Sequence, residues 1–156
     1  MGEAPACRIR SAAASDLPEL VGLLQDLFAI EVDFQPDPAK QESGLRQLLA
    51  TPGGHIWVAE AGGCVVGMCT LQVLVSTAEG GPVGLVEDVV VAAARRGCGI
   101  GGMLLAAAER WSRANGLTRL QLLADRDNHP ALEFYRRHGW DETRLVGLRK
   151  LPNGET

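Results

Sequence analysis

The run Arg95-Arg96-Gly97-Cys98-Gly99-Ile100-Gly101-Gly102 separates the apolar stretch Leu85 to Val91 from an apolar-periodic segment, Ile100 to Trp111. Two arginines and four glycines at a strand-to-helix junction suit the binding of an anion. Glycine lets the backbone approach a ligand closely and takes up positive φ. The N–H groups of a helix's first turn lack intrahelical partners, and the helix dipole adds positive charge behind them. The expected guest is a phosphate or pyrophosphate, hence a nucleotide-like cofactor. A second group is acidic: Glu87 and Asp88 interrupt the apolar run just upstream. Carboxylates there are costly unless they have a partner or a task. Adjacent strand residues face opposite ways, so only one of the two reaches a given side unless a bulge intervenes. Capping a sheet edge or pairing with an arginine are equally open roles for either.

The elements that must position these groups follow from periodicity. Cys7 to Arg10 reads as a short strand. Ser15 or Asp16 can cap a helix bearing Leu17, Leu20, Val21, Leu24, Leu27 and Phe28 on one face. Polar residues and prolines around Asp33 to Pro38 break it, and a second helix is predicted from about Ala39 to Leu49, before Pro52. The period then changes to that of strands. Ile56 to Glu60, a turn at Gly62-Gly63, Cys64 to Val75, a loop from Glu79 to Pro82 and Gly84 to Val91 form a meander. The motif helix follows, with Ile100, Leu104, Ala107, Ala108 and Trp111 as its buried stripe and Asn115-Gly116 as its stop. Leu120 to Leu123 is predicted as a buried strand, Ala131 to His138 as a helix stopped by Gly139, and Thr143 to Leu151 as a final strand. The order βααβββαβαβ implies one α/β or α+β domain over residues 1–156, a mixed sheet flanked by helices.

Composition narrows the function. With 156 residues, 46% of them apolar and 22% charged, the chain can bury a core as one domain. A net charge of −4 argues against a general nucleic-acid binder. No apolar stretch reaches the roughly 18 residues that span a bilayer, and the first residues lack an apolar leader, so no membrane partner and a cytoplasmic location are expected. Cys7, Cys64, Cys69 and Cys98 form no C-x-x-C pair, and no histidine lies at ligand spacing, so neither a disulfide framework nor a metal site is expected. A thiolate at Cys98 would be favoured by its arginines, yet no partner base follows it, and filling a loop position suffices. His55, His129 and His138 receive no role.

Three nucleotide-binding patterns compete for the glycine loop. A P-loop needs Gly-Lys-Ser/Thr, whereas Ile100-Gly101-Gly102-Met103 stands here. Gly97, Gly99 and Gly102 satisfy the dinucleotide pattern G-x-G-x-x-G, but that fingerprint opens a repeated βαβ array, and here three meander strands precede it. The third fits better. Arg96-Gly97-Cys98-Gly99-Ile100-Gly101, preceded by Glu87-Asp88-Val89-Val90-Val91, resembles the acetyl-CoA-binding motif Q/R-x-x-G-x-G/A of the GNAT superfamily of N-acetyltransferases. Asn128-His129-Pro130-Ala131-Leu132-Glu133-Phe134-Tyr135-Arg136-Arg137-His138-Gly139-Trp140 resembles that family's N-x-x-A-x-x-F-Y-x-x-x-G-F/W segment. The likeness extends over roughly Ile9 to Lys150, and the element order agrees with the family's.

The resemblance implies splayed central strands, acetyl-CoA as acetyl donor, and transfer to a primary amine. The backbones of Val89 and Val91 would pair with the pantetheine arm as an added strand would. Arg96, Gly97, Cys98, Gly99, Gly101 and Gly102 would hold the pyrophosphate, chiefly by N–H groups, and Asn128 would contact the arm or cap the helix near Pro130. Tyr135 matches the general acid that protonates the leaving thiolate, though a core tyrosine with a satisfied hydroxyl is the plain alternative. Glu87, first, and Asp88, second, are the candidates for base or amine anchor, at a spacing similar to that of the polyamine and diamine acetyltransferases. An alkylammonium with a pKa of about 10.4 must lose a proton before it can attack. Glu31, Asp33 and Phe34 fall where acceptor-binding residues lie in that family, and with Glu87 and Asp88 would form an acidic pocket for a small cationic amine. A protein acceptor, or an acyl-CoA-sensing module without turnover, are the competing functions. Family members frequently dimerise, which implies a homodimer as an option that no sequence feature decides.

Overall fold

The computed structural model describes residues 6–154. The chain divides into two compact units, Met1–Leu122 and Leu123–Thr156. The first contains strand β1 (Cys7–Ser11), helices α1 (Leu17–Ile30) and α2 (Pro38–Ala50), strands β2 (Gly54–Ala61), β3 (Cys64–Ser76) and β4 (Gly81–Val91), helix α3 (Ile100–Ala114) and strand β5 (Leu120–Gln121). The second contains helix α4 (His129–Arg137). Short helical turns, Ala14–Asp16 and Ala93–Arg95, precede α1 and follow β4. No helix among the described residues is long and apolar enough to cross a membrane.

The five strands lie in sequence order, antiparallel except for the parallel β4–β5 pair. This is the mixed, mostly antiparallel sheet that the strand pattern predicts, with helices packed on it. Successive side chains of a strand face opposite ways. Met68 and Val90 accordingly join Leu17, Leu20, Leu24 and Leu45 of α1 and α2 in one buried cluster. On the other face the Cys69 thiol lies 3.7 Å from the carbonyl oxygen of Leu104 in α3. Helix α3 buries Ile100, Leu104, Leu105, Ala107, Ala108 and Ser112, while Trp111 is only half-buried, short of the predicted stripe. Asp16 is the N-cap residue of α1, but its side chain makes no hydrogen bond to the helix's free N–H groups. Its carboxylate accepts from the Ala13 N–H at 2.7 Å and from the Arg10 guanidinium at 2.8 and 2.9 Å.

Two departures from the sequence expectation concern the end of the sheet. The strand predicted over Leu120 to Leu123 is only two residues long, and Leu123 is 69% exposed rather than buried. Thr143 to Leu151 forms no strand, and its Leu145, Val146, Leu148 and Leu151 are exposed. A strand requires a neighbouring ladder for its backbone groups, and alternation in sequence cannot supply one. Gly84 lies where β4 meets β5, opposite Leu120. A Cβ there would fall 2.6 Å from a Leu120 methyl and 3.2 Å from one of Leu117, so a larger residue would have to push these leucine side chains aside.

The register of β3 against β4 shifts between Met68 and Thr70. Met68 faces Val90 and Thr70 faces Glu87, so Asp88 and Val89 together oppose Cys69 alone, which is a β-bulge. Asp88 takes φ of +51° and is the sole non-glycine residue with positive φ among the described residues. Aspartate tolerates that region better than most residues, because its short polar side chain bonds locally.

Candidate active site

The bulge resolves the question left by alternation. Glu87 and Asp88 both line a cavity of about 470 Å³ between the sheet and helices α1 and α2. Its sheet wall also carries Thr70 and Gln72, adjacent same-face residues of β3. The buried Thr70 hydroxyl donates to Asp88 Oδ2 at 3.2 Å, and the Gln72 amide donates to Glu87 Oε2 at 3.5 Å. Leu24 and Phe28 of α1 and Leu45 and Leu48 of α2 supply the apolar lining. The half-buried Asp88 carboxyl is pushed up to about 6, first by burial, then by the negative charges of Glu87 and Glu31, against the Thr70 hydrogen bond. A carboxyl poised near neutrality can accept a proton from a bound amine and release it again.

None of the three acceptor-region residues, Glu31, Asp33 and Phe34, lines the cavity. Glu31, at the C-terminal end of α1, acts electrostatically on Asp88. Asp33 and Phe34 lie outside the cavity lining, though the Phe34 ring packs 5.3 Å from that of Phe28, which belongs to it. Thr70 and Gln72 escaped the sequence reading. The available signal was two polar residues, one apart, in an otherwise apolar strand, meaningful only once the opposing carboxylates are known.

Downstream of the bulge, β4 is paired with β5 only at Gly84 and Leu85, so Val86 to Val91 have no strand on that edge among the described residues. The glycine loop then leads to α3. Gly97 and Gly99 have φ of +76° and +78°, and the space where a Cβ would project is open at both. Gly99 is the N-cap of α3, and Gly101 and Gly102 lie in its first turn. An exposed helix start with a side-chain-free approach is an anion cradle. Arg96 braces it: its Nε donates to the Val91 carbonyl at 2.9 Å, tying the loop back to β4. Cys98 is exposed, its thiol 3.8 Å from the Arg96 carbonyl oxygen.

The sequence profile described as the acetyltransferase (GNAT) family matches residues 20–140. The chain belongs to the GNAT acetyltransferase family. It is 30% identical over 147 residues to the aminoalkylphosphonate N-acetyltransferase of Salmonella typhimurium, covering 94% of this chain and 93% of that protein. It also resembles an aminoglycoside acetyltransferase from an uncultured soil metagenomic sample, solved with trehalose: 26% identity, TM-score 0.77, 93% of this chain and 95% of the other. An aminoglycoside N-acetyltransferase in complex with CoA shares the fold at TM-score 0.81 and 18% identity, over 97% and 99% of the two chains. This GNAT enzyme is thus an N-acetyltransferase acting on amines, with acetyl-CoA as donor. A helix start of this kind can offer N–H groups to a diphosphate, and an open strand edge can pair with an amide-bearing arm.

Two predicted site residues belong to the second unit. Asn128 is the N-cap of α4, its side-chain oxygen accepting from the Ala131 N–H at 3.2 Å, which leaves the amide NH₂ as its remaining donor. Tyr135 is half-buried on α4, its ring edge-on to Phe134 at 5.2 Å and to Trp140 at 6.1 Å. His55, given no role from the sequence, lies within β2 and packs against Trp57 and Trp111 at 5.4 and 3.8 Å, with burial lowering its pKa. Among the described residues no cluster of three or more His, Cys, Asp or Glu is placed to hold a metal.

Proposed function

We propose that this GNAT acetyltransferase acetylates a small primary amine presented as its ammonium ion in the cavity, with Asp88 and Glu87 managing the amine's proton and Tyr135 protonating the departing thiolate. One observation carries the first half: the β4 bulge sets both carboxylates in one cavity, with Asp88 poised near neutrality. Within the pair, Glu87 came first as base on sequence grounds. Its exposed position suits an anchor for the ammonium group, and the half-buried Asp88 suits proton removal. The amine nitrogen then has a free lone pair to form the new bond to the acetyl carbon as the carbon–sulfur bond breaks. The role of Tyr135 rests on the Phe134-Tyr135 match to the family segment. Val89, Val91, Asn128 and the loop Arg96 to Gly102 are proposed to hold the donor. Relatives named for aminoalkylphosphonates and aminoglycosides support an amine of low molecular mass.

Thiol release from acetyl-CoA, followed with polyamines, aminoglycosides, short amino acids and arylamines as acceptors, tests this. Alkylamines are expected to be acetylated. Tyr135→Phe is expected to lower kcat by about 10²-fold or more while acetyl-CoA binding is unchanged. Acetylation confined to arylamines, which carry no proton at neutral pH, would defeat the carboxylate assignment. An undiminished kcat in Tyr135→Phe would defeat that of the acid.

A further inference from the structure

The cavity is not of one sign. Glu87 and Asp88 stand on its sheet wall, while its helical wall includes Lys40, the single basic residue of the lining. Lys40, Gly44, Leu48 and, just past the helix end, Thr51 belong to that lining, spaced by four, four and three residues along one face of α2. Lys40 therefore occupies the N-terminal end of the stripe that α2 turns to the cavity. Gly44, one turn on, presents no side chain, and nothing lies within 4 Å of where its Cβ would be. Lys40 lies in the first turn of α2, where the helix dipole reinforces positive potential. Its ion pair with Asp37 is long, 3.8 Å, and exposed, and the Asp37 carboxylate already caps α2 by accepting from the Lys40 N–H at 3.2 Å. The ammonium group, on a flexible four-carbon stem, can leave that pair for a better anion.

A polyamine would meet a like charge at this wall. We infer that the acceptor is dipolar, a short primary amine with an anionic tail such as a carboxylate or phosphonate, and that Lys40 reads the tail while Glu87 and Asp88 hold the ammonium end. The apolar lining from Leu24, Phe28, Leu45 and Leu48 suits the methylene groups between the two charges. This rests on the amine acetylation proposed above and adds to it the class of acceptor and a residue that determines specificity.

Steady-state kinetics on the full chain with aminomethylphosphonate and β-alanine against ethylenediamine and putrescine tests it, in wild type, Lys40→Gln and Lys40→Glu. Wild type is expected to favour the anionic-tailed amines. Lys40→Gln is expected to raise their KM by about tenfold, as for loss of one charge-assisted contact, with kcat little changed. Lys40→Glu is expected to turn the preference toward the diamines. Lys40 is exposed, so the variants should fold, and unaltered thermal stabilisation by acetyl-CoA confirms that they have. A wild-type preference for diamines, or KM values that ignore both substitutions, overturns the inference and leaves amine acetylation standing. Acetylation of no amine by the wild type overturns both.

Discussion

Asp88 joins three conditions that a surface carboxylate does not meet: a strained backbone, a buried hydroxyl donor, and two like charges nearby. Its pKa, near 6, sits above the ordinary carboxylate value, so the proton is lost only as the pH rises through that region. With Asp88 as the proposed base, active when deprotonated, kcat/KM should climb with pH along an acid limb near 6. The Thr70 hydrogen bond favours the charged form, so Thr70→Val should move this limb to higher pH; Glu87→Gln removes a repelling charge and should move it lower. Asp88→Asn should abolish the limb and cost about 10²-fold in kcat/KM. A limb that none of the three displaces belongs to another group. The carboxylates themselves were visible in the sequence as two acids inside an apolar run. That both face the same cavity was not, because a bulge is a property of two paired strands and its partner, Cys69, lies nearly twenty residues away.

The start of α3 was legible because its signals are local. Gly99 at the N-cap and Gly116 past the C-terminus both take positive φ, and the segment between them carries the apolar repeat. In the proposed cradle the backbone would do the binding, so conformation counts for more than side-chain chemistry. Gly99→Ala places a Cβ in open space but forces it into the left-handed region, at a cost of about 1–2 kcal/mol. Acetyl-CoA affinity, measured by calorimetry, is expected to fall by about tenfold for a cradle pulled out of shape. Cys98→Ser, which leaves the N–H groups in place, should bind as wild type does. Equal affinities for all three proteins would mean that the diphosphate is held elsewhere. At the far side of the sheet local signals ran out. Leu120 to Leu123 and Thr143 to Leu151 have strand-like composition, yet one is a two-residue strand and the other none, since pairing depends on what chain arrives beside them.

Within the first unit, Arg10 ties together elements at the β1 edge of the sheet, away from the cavity lining. Its guanidinium takes both oxygens of Asp16 at 2.8 and 2.9 Å, and its Nε reaches Glu60 Oε2 at 2.7 Å, linking β1 to the turn before α1 and to β2. The Arg10 hydrogen bonds hold the buried Asp16 carboxyl below its usual value, so the stability it lends is present above the unfolded pKa and disappears as the pH falls through the folded one. Asp16→Asn is expected to cost about 1–3 kcal/mol in urea unfolding at neutral pH, with the difference from wild type shrinking on acidification. A difference that does not change with pH would place the contribution outside the ion pair. Arg10, Asp16 and Glu60 drew no functional notice in the sequence, because the spacings of 6 and 50 residues mean nothing before the strands are aligned. The order and type of most elements, the glycine-rich helix start and the acids beside it could be read from the chain alone, since each depends on neighbours within a turn or a strand. The shared wall for Glu87 and Asp88, the Lys40 face opposing it and the truncated fifth strand came only with folding: they depend on register and on contacts between distant segments, which periodicity does not encode.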